Sequence, residues 1–329
     1  MIFPYLAGFL SPLKAPVTYF LLFINLLVFG VTAVDFDSSS AAIDSFLDDD
    51  FLNVQGSAFA AMIAREPQKF SVTLKTLADE TRGSNDVNAL QALGGFALRN
   101  TDFMSRAQTF DFGGDEIAIS RWRQKLVQFQ KIQDENPSYR YGLSEMHQEW
   151  RNYFSYQFSH AGFAHLFWNM VFLVLFGCFV EKMLGGTFVI ITYVAGGFLG
   201  AVVYSLLSGI SYSPLVGASG AVSALIGLVT VAWWRREKLP FLYMLIPTPE
   251  YIGFALLPSW LLGLVFILPD VSHYLSSSRE VGSVAYAAHI GGALFGSVIA
   301  GGVLAGWLPS KKTEPVAAPV LPKPFRQAS

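Results

Sequence analysis

The chain has 329 residues, of which 53% are hydrophobic and 14% are charged, whereas an average soluble domain is roughly 25% charged. A net charge of −2 provides no basic field to attract nucleic acid, and a mean hydropathy of +0.43 favours a lipid environment. The single cysteine, Cys178, excludes an internal disulfide framework and a four-thiolate metal site.

Six segments lack Asp, Glu, Lys and Arg and are long enough, or nearly so, to cross about 30 Å of hydrocarbon. They predict six membrane helices, at residues 16–34, 163–180, 187–207, 216–234, 251–269 and 284–307. A secretory signal is the alternative for the first segment, but a lone Lys14 and nineteen apolar residues favour an uncleaved helix. Residues 239–246 are apolar but too short to span, so we expect them at the interface or partly re-entrant.

Positive charge in the short flanks predicts the orientation, because cytoplasmic loops retain Lys and Arg. One side receives nine such residues: Lys14, Lys182, Arg235, Arg236, Lys238, Lys311, Lys312, Lys323 and Arg326. The short loops of the other side hold Arg279. Both termini are therefore predicted to be cytoplasmic, and the second, fourth and sixth helices run parallel from outside to inside.

Residues 35–149, between the first two spans, carry 11 basic and 18 acidic side chains and are predicted to form an extracytoplasmic insertion. Part of this insertion is predicted to be helical, because apolar residues at helical spacing are followed by a proline: Ile119, Trp122, Leu126, Phe129 and Pro137. Residues 308–329 are rich in proline and predict a disordered tail. The sequence shows no internal repeat, Gly-rich phosphate loop or nucleotide motif.

Polar side chains inside spans are costly and are therefore candidates for function. Ser219 and His289 are the fourth and sixth residues of parallel helices, so they are expected within about 3 Å of the same depth. A neutral imidazole at that depth can take the hydroxyl proton and activate the serine. His165 and Asn169 share one face at the start of the second helix. They are candidates to donate hydrogen bonds to an oxyanion; the alternative is that they only link helices by hydrogen bonds.

Small residues recur on one face of the fourth helix and on one face of the sixth. Such stripes allow two membrane helices to approach closely. We therefore expect these helices to pack together through Gly220, Ala224 and Gly227 on one side and Gly292, Gly296 and Ala300 on the other.

Residues 150–307, about half of the chain, resemble the rhomboid family of intramembrane serine proteases. The resemblance lies in the order and spacing of several motifs: His160, His165 and Asn169 as H-x4-H-x3-N; Gly217 to Gly220 as G-x-S-G; Ala288, His289, Gly292 and Gly296 as A-H-x2-G-x3-G; the pair Trp150 and Arg151; and Glu181 at the end of the second helix.

Together with the six predicted spans, this resemblance implies an all-α polytopic membrane protein with a six-helix bundle; the long insertion after the first helix, predicted to be helical, lies outside the resemblance. The parts of the chain would be 1–34, the N-terminus and first helix; 35–149, the insertion; 150–307, the catalytic core; and 308–329, the tail. The implied partners are single-span membrane-protein substrates and the lipid bilayer, with no nucleic acid, nucleotide, metal or cofactor. A bacterial inner membrane suits this form.

The implied mechanism uses Ser219 as nucleophile and His289 as base, in a dyad without a third carboxylate. No predicted span contains an Asp or Glu to orient the histidine. The oxyanion would be held by the Ser219 N–H with the His165 and Asn169 side chains. Structural support is implied for Trp150, Arg151, His160, Glu181, Gly217, Gly220, Gly292 and Gly296. Residues 271–283 resemble the family's mobile cap, and the fifth helix a lateral gate.

Two other classes of function compete with the protease. A catalytically silent rhomboid-like protein would bind membrane clients, but such relatives usually lack the serine or the histidine. A small-solute transporter would show broken helices in repeated halves, and neither is visible. One departure from the family is Ser223, at a position where some relatives carry an aromatic against the catalytic histidine.

Overall fold

The computed structural model describes residues 2–4, 12–83, 86–234, 238–244, 252–276 and 286–306. Most of these residues are helical, which confirms the predicted all-α polytopic class. The helices are α1 (Pro16–Phe46), α2 (Asp49–Arg65), α3 (Val72–Gly83), α4 (Val87–Ala97), α5 (Thr101–Arg106), α6 (Glu116–Glu135), α7 (Pro137–Tyr141), α8 (Asn152–Ser155), α9 (Phe163–Leu184), α10 (Gly186–Leu207), α11 (Ser219–Ala232), α12 (Trp260–Leu262), α13 (Leu268–Ser276) and α14 (Tyr286–Leu304).

Among the described residues, four helices are long and apolar enough to cross a membrane, namely α1, α9, α10 and α14. Two further apolar helices are shorter: α11 and the segment Trp260–Ser276, in which α12 and α13 are joined by a π-helical turn, Gly263–Ile267. Each of these six helices overlaps one predicted span. Helix α1 continues past the predicted span to Phe46. Hydropathy therefore predicted the apolar part of this helix but not the residue at which it ends.

The predicted fifth span, 251–269, is wrong in its first half. Residues Ile252–Leu257 form a strand, and the helix starts at Trp260. The strands are β1 (Ile2–Pro4), β2 (Leu239–Met244) and β3 (Ile252–Leu257), all antiparallel in the order β1-β2-β3. The stretch expected at the interface or re-entrant therefore supplies β2. A short apolar run has the same composition in a strand as in a helix, and pairing between distant segments decided the outcome.

Helix α11 lies at the centre of the bundle and most of its residues are buried. A Cβ built at Gly292 would overlap the Gly220 carbonyl oxygen, and one at Gly296 would overlap that of Ala224. Gly227 meets the backbone of α14 in the same way. The predicted close packing of the two small-residue stripes is confirmed, and here it is a contact between backbones.

The insertion has its own hydrophobic cluster, which is rich in buried aromatic rings from α2, α5 and α6. Trp122 is at its centre, within 5.8 Å of the rings of Phe103 and Phe112, and its indole N–H donates to Gln55. The predicted helix around Trp122 is confirmed as α6, and Pro137 opens the next short helix. The fold class thus holds for the insertion as well as for the bundle.

The insertion contacts the bundle at the linker between α10 and α11. Tyr212 of this linker is buried in the cluster of the insertion, and its N–H donates to Thr101 Oγ1 at 3.0 Å. Leu143 forms an antiparallel bridge with Leu215. The linker leads directly into α11, so the insertion packs against the segment that carries Ser219.

Candidate active site

Ser219 is the first residue of α11, and a tight turn delivers it there. Gly217 has φ +107°, a left-handed conformation that favours glycine because a Cβ would be strained. A Cβ at Gly217 would also lie 2.6 Å from the His165 ring. The glycine therefore permits both the turn and the close approach of the imidazole.

The backbone of the turn is held from the segment before α9. The Gly217 N–H donates to the Tyr156 carbonyl at 2.9 Å, and the Ala218 N–H donates to His160 Nε2 at 3.4 Å. His160 and Tyr156 are both buried. His160 thus hydrogen-bonds the turn rather than Ser219 itself, and the structural role that the resemblance implies for it stays a prediction.

His289 lies in the first turn of α14, where its Nε2 is 2.7 Å from Ser219 Oγ. This is a hydrogen-bond distance, and the hydroxyl is the donor when Nε2 is unprotonated. The backbone contacts between α11 and α14 fix the separation of the two side chains. The structure thus brings the predicted nucleophile and base together.

The other ring nitrogen of His289 is also occupied. His289 Nδ1 lies 3.0 Å from Asp270 Oδ2, and the two side chains are 21% and 18% exposed. The predicted absence of a third carboxylate beside the serine and histidine is therefore wrong, because a carboxylate lies within hydrogen-bond distance of the histidine. Asp270 directly follows the fifth predicted span, where a charged residue looks like a flank, and the helix in fact continues through it to Ser276. The described part of the proposed cap, residues 271–276, is accordingly helical, while 277–283 lie outside the described residues, as do 308–329.

His165 and Asn169 lie on one face of α9, beside the turn that precedes Ser219. A Cβ at Gly217 would be 2.7 Å from His165 Nε2 and 3.6 Å from Asn169 Nδ2. Asn169 Nδ2 donates to the His165 carbonyl at 2.9 Å, which leaves its second amide hydrogen. Among the described residues, no hydrogen bond joins either side chain to Ser219. Both side chains lie near the site, and their oxyanion role stays a prediction.

Glu181 is buried in α9 and caps another helix. Its carboxylate accepts the N–H groups of Val17 and Thr18 at 2.9 and 2.8 Å, and the Thr18 hydroxyl at 2.7 Å. These N–H groups belong to the first turn of α1, where a negative charge is favoured and where Ala15 offers no side-chain cap. Glu181 therefore fixes the start of α1 against α9.

Trp150 and Arg151 lie outside the bundle. The Trp150 side chain is 77% exposed and meets Phe154 edge to face, and Arg151 pairs with Glu149 at 3.6 Å. Neither contacts the Ser219 turn in the described structure. Their implied support role stays a prediction.

The rings of His160 and His165 are 5.4 Å apart. In the parts of the chain that the structure describes, no group of three or more His, Cys, Asp and Glu side chains is arranged to hold a metal. The chemistry visible at the site is that of a hydroxyl, an imidazole and a carboxylate in a row.

Comparison with known proteins gives a consistent family. Residues 147–306 match the model of the rhomboid domain. The chain is 29% identical over 161 residues to rhomboid protein 1, mitochondrial, of Saccharomyces cerevisiae, which covers 48% of this chain and 41% of that protein. It is 30% identical over 168 residues to rhomboid protease GlpG of Pectobacterium atrosepticum, covering 51% of each.

A human relative, rhomboid-related protein 3, is 40% identical over 79 residues, which cover 24% of this chain and 19% of that protein. The chain thus spans about half or less of the length of these curated relatives. No solved structure matches. The family model, the relatives and the apolar helices agree, and the protein is a multi-pass membrane protein of the rhomboid family.

Proposed function

We propose that the protein is an intramembrane serine endopeptidase in which Ser219 is the nucleophile and His289 the base. The observation that carries this proposal is the 2.7 Å distance between Ser219 Oγ and His289 Nε2. The two residues stand on helices whose backbones touch, so the distance does not depend on long flexible side chains. Preorganised geometry of this kind is what nucleophilic catalysis by an otherwise weak hydroxyl needs.

In the proposed reaction, Ser219 Oγ attacks the carbonyl carbon of the scissile peptide while its proton passes to His289 Nε2. The tetrahedral intermediate collapses, the amine leaves with that proton, and an ester remains on Ser219. A water molecule then attacks the ester, again giving a proton to His289, and the serine is regenerated as the acid product leaves. No group other than those of the chain, the substrate and water is required.

Negative charge on the carbonyl oxygen would be stabilised at the turn before α11. The Ser219 N–H belongs to the first turn of the helix and has no intrahelical acceptor, and the His165 and Asn169 side chains flank Gly217. Donors aimed at a developing oxyanion are typically worth about 10²- to 10³-fold in kcat each. We assign the oxyanion role to these three groups together.

The proposed substrates are single-span membrane proteins, cut within or next to their membrane segment. We assign residues 1–34 to the N-terminus and first span, 35–149 to the extracytoplasmic insertion, 150–307 to the catalytic core and 308–329 to a cytoplasmic tail. Cytoplasmic termini are supported by the charge asymmetry of the short flanks, and the six-span form suits a bacterial inner membrane. Because β1 pairs with β2, the N-terminal strand lies on the same side as the linker after α11, whose sequence carries the positive charges Arg235, Arg236 and Lys238.

The test is covalent labelling of the detergent-purified protein with a fluorophosphonate probe, together with cleavage of a single-span test substrate. Ser219→Ala and His289→Ala are each expected to lower kcat by about 10⁴- to 10⁶-fold, and the first should abolish labelling. Ser223→Ala, one turn further along the same helix, is the matched control and should retain both.

The oxyanion donors are tested in the same assay. His165→Ala is expected to lower kcat by about 10²- to 10³-fold with KM nearly unchanged, and Asn169→Ala by less. Labelling of a serine other than Ser219 would contradict the assignment of the nucleophile. A folded wild-type protein that binds membrane clients but shows neither labelling nor cleavage would instead be the silent rhomboid-like protein.

A further inference from the structure

The side chains of Ser219, His289 and Asp270 form a continuous chain of hydrogen-bond distances. Ser219 Oγ lies 2.7 Å from His289 Nε2, and Asp270 Oδ2 lies 3.0 Å from His289 Nδ1. The two partners therefore occupy opposite nitrogens of the same ring. A carboxylate accepts hydrogen bonds and does not donate them, so the contact requires a proton on Nδ1. With that proton on Nδ1, neutral His289 has its lone pair on Nε2, facing the serine hydroxyl.

The local backbone explains why Asp270 faces the site. Pro269 has no N–H, and in a regular α-helix its ring would clash with the carbonyl of Val265, four residues earlier. The helix widens into the π-helical turn Gly263–Ile267 immediately before, where the Leu268 N–H donates to the Gly263 carbonyl. A π turn accommodates one additional residue, which rotates the following side chains by roughly 100°. The carboxylate direction is thus set by the backbone.

Helix α13 is held in place by contacts on two sides besides the carboxylate. The His273 ring stacks on Tyr286, the first residue of α14, with ring centroids 5.2 Å apart. The Tyr274 hydroxyl donates to the Leu207 carbonyl at the end of α10, at 3.1 Å. These contacts lie within four residues of Asp270 and fix α13 against both neighbouring helices.

We infer that Asp270 is a positioning residue for His289, completing a Ser–His–Asp arrangement rather than a dyad. The inference rests on the proposed protease function and deepens it. The carboxylate holds the imidazole in the tautomer that accepts the Ser219 proton, and it stabilises the imidazolium once that proton has moved. Asp270 acts through the Nδ1 atom of His289 and makes no hydrogen bond to Ser219 among the described residues.

The test compares full-length, detergent-purified variants: Asp270→Asn, Asp270→Glu and the matched control Ser272→Ala. Ser272 is exposed on the same helix, two residues from Asp270. Asp270→Asn keeps the size of the side chain but offers an amide N–H to Nδ1, which favours the tautomer with its proton on Nε2. We expect kcat and the rate of probe labelling at Ser219 to fall by about 10²- to 10⁴-fold, with KM and melting temperature near wild type.

Asp270→Glu is expected to recover part of the lost rate, because a carboxylate is again present, and Ser272→Ala should match the wild type. A second readout does not depend on turnover. In protein with ¹⁵N-labelled histidine, the His289 signals, assigned by comparison with His289→Ala, should show a protonated Nδ1 in the wild type and a protonated Nε2 in Asp270→Asn.

A wild-type or faster kcat in Asp270→Asn would overturn the inference, since the contact would then serve only to pack α13 against α14 or to hold it there. A slower variant with a lowered melting temperature and an unchanged His289 tautomer would overturn it too, by assigning a structural role. Failure of the proposed function looks different: the wild type itself would neither label nor cleave. In that case the tautomer measurement still decides whether Asp270 positions His289.

Discussion

The bundle and the insertion hold their helices together in different ways. The bundle does so at the crossing of α11 and α14, and the insertion does so through its aromatic cluster. In the bundle, Gly220 and Gly292 let two backbones touch. Lipid tails are as apolar as the side chains, so burial supplies little drive there and close packing must supply it. In the insertion, rings such as Phe59 and Trp122 are removed from water, and this burial is the main source of stability in an aqueous domain.

The described part of the insertion also contains a glycine crossing, where Gly56 of α2 meets the backbone of α4 and Gly94 meets that of α2. Both regions therefore contain glycine crossings, and they differ in how far their function depends on such a crossing. A hydrogen bond of 2.7 Å between two helices requires that neither helix shift by even an ångström. A backbone contact meets this requirement because it contains no rotatable side chain, and the catalytic pair is built beside it.

The largest stability effect is expected in the insertion. Trp122→Ala removes a buried indole and its hydrogen bond to Gln55, and should lower the free energy of opening of the insertion by about 3–5 kcal/mol. Ile117→Ala, on the same helix but 67% exposed, is the control and should change it by less than about 0.5 kcal/mol. Hydrogen–deuterium exchange resolved by peptide measures both. Equal loss of protection in α11 and α14 would show that the two regions are not separable, with Tyr212 as the link.

A smaller stability effect with a larger functional one is expected in the bundle. Gly292→Ala forces a methyl group against the Gly220 carbonyl, and overpacking of this kind costs about 1–3 kcal/mol. Separating the helices also misplaces His289, and a shift of about 1 Å can cost about 10²-fold in rate. Gly301→Ala is the control, because a Cβ there meets nothing within 4 Å. Melting temperature and kcat should both stay near wild type in the control; normal kcat in Gly292→Ala would argue against backbone contact as the determinant.

The smallest effect is expected from the ion pairs on the surface of the insertion. The Arg106 guanidinium, and then Lys69, lower the pKa of Glu66 from its usual 4.5 to about 2. Because the folded-state pKa is depressed, the stabilisation is present above about pH 4.5 and is lost as the pH falls toward about 2. Glu66→Gln should therefore melt slightly lower than wild type at pH 7, with a difference that shrinks at pH 3 and in high salt. Melting followed by intrinsic fluorescence tests this; a difference that grows at pH 3 would contradict it.

Much of the site could be predicted because it depends on local rules. Ser219 and His289 were placed at one depth from the rise of a helix, and the two glycine stripes from its periodicity. Both patterns are written in neighbouring residues, and hydrocarbon tolerates few exceptions to an apolar segment. Glu181 was expected to be structural through family resemblance, but its task of capping α1 depends on two helices separated by more than a hundred residues.

The sequence by itself determined that the chain crosses a membrane, where most spans lie and which polar residues are unusual there, since these follow from composition and short-range periodicity. Tertiary structure decided the rest. Whether residues 252–257 become a strand depends on pairing with β2 and not on their own hydropathy. Whether Asp270 is a solvated flank or a partner of His289 depends on the rotation of α13 after the π-helical turn and on its packing against α14. Pro269 marks a break in the regular helix. The contacts that hold α13 in this rotation, however, join residues far apart in sequence, namely His273 with Tyr286 and Tyr274 with the Leu207 carbonyl.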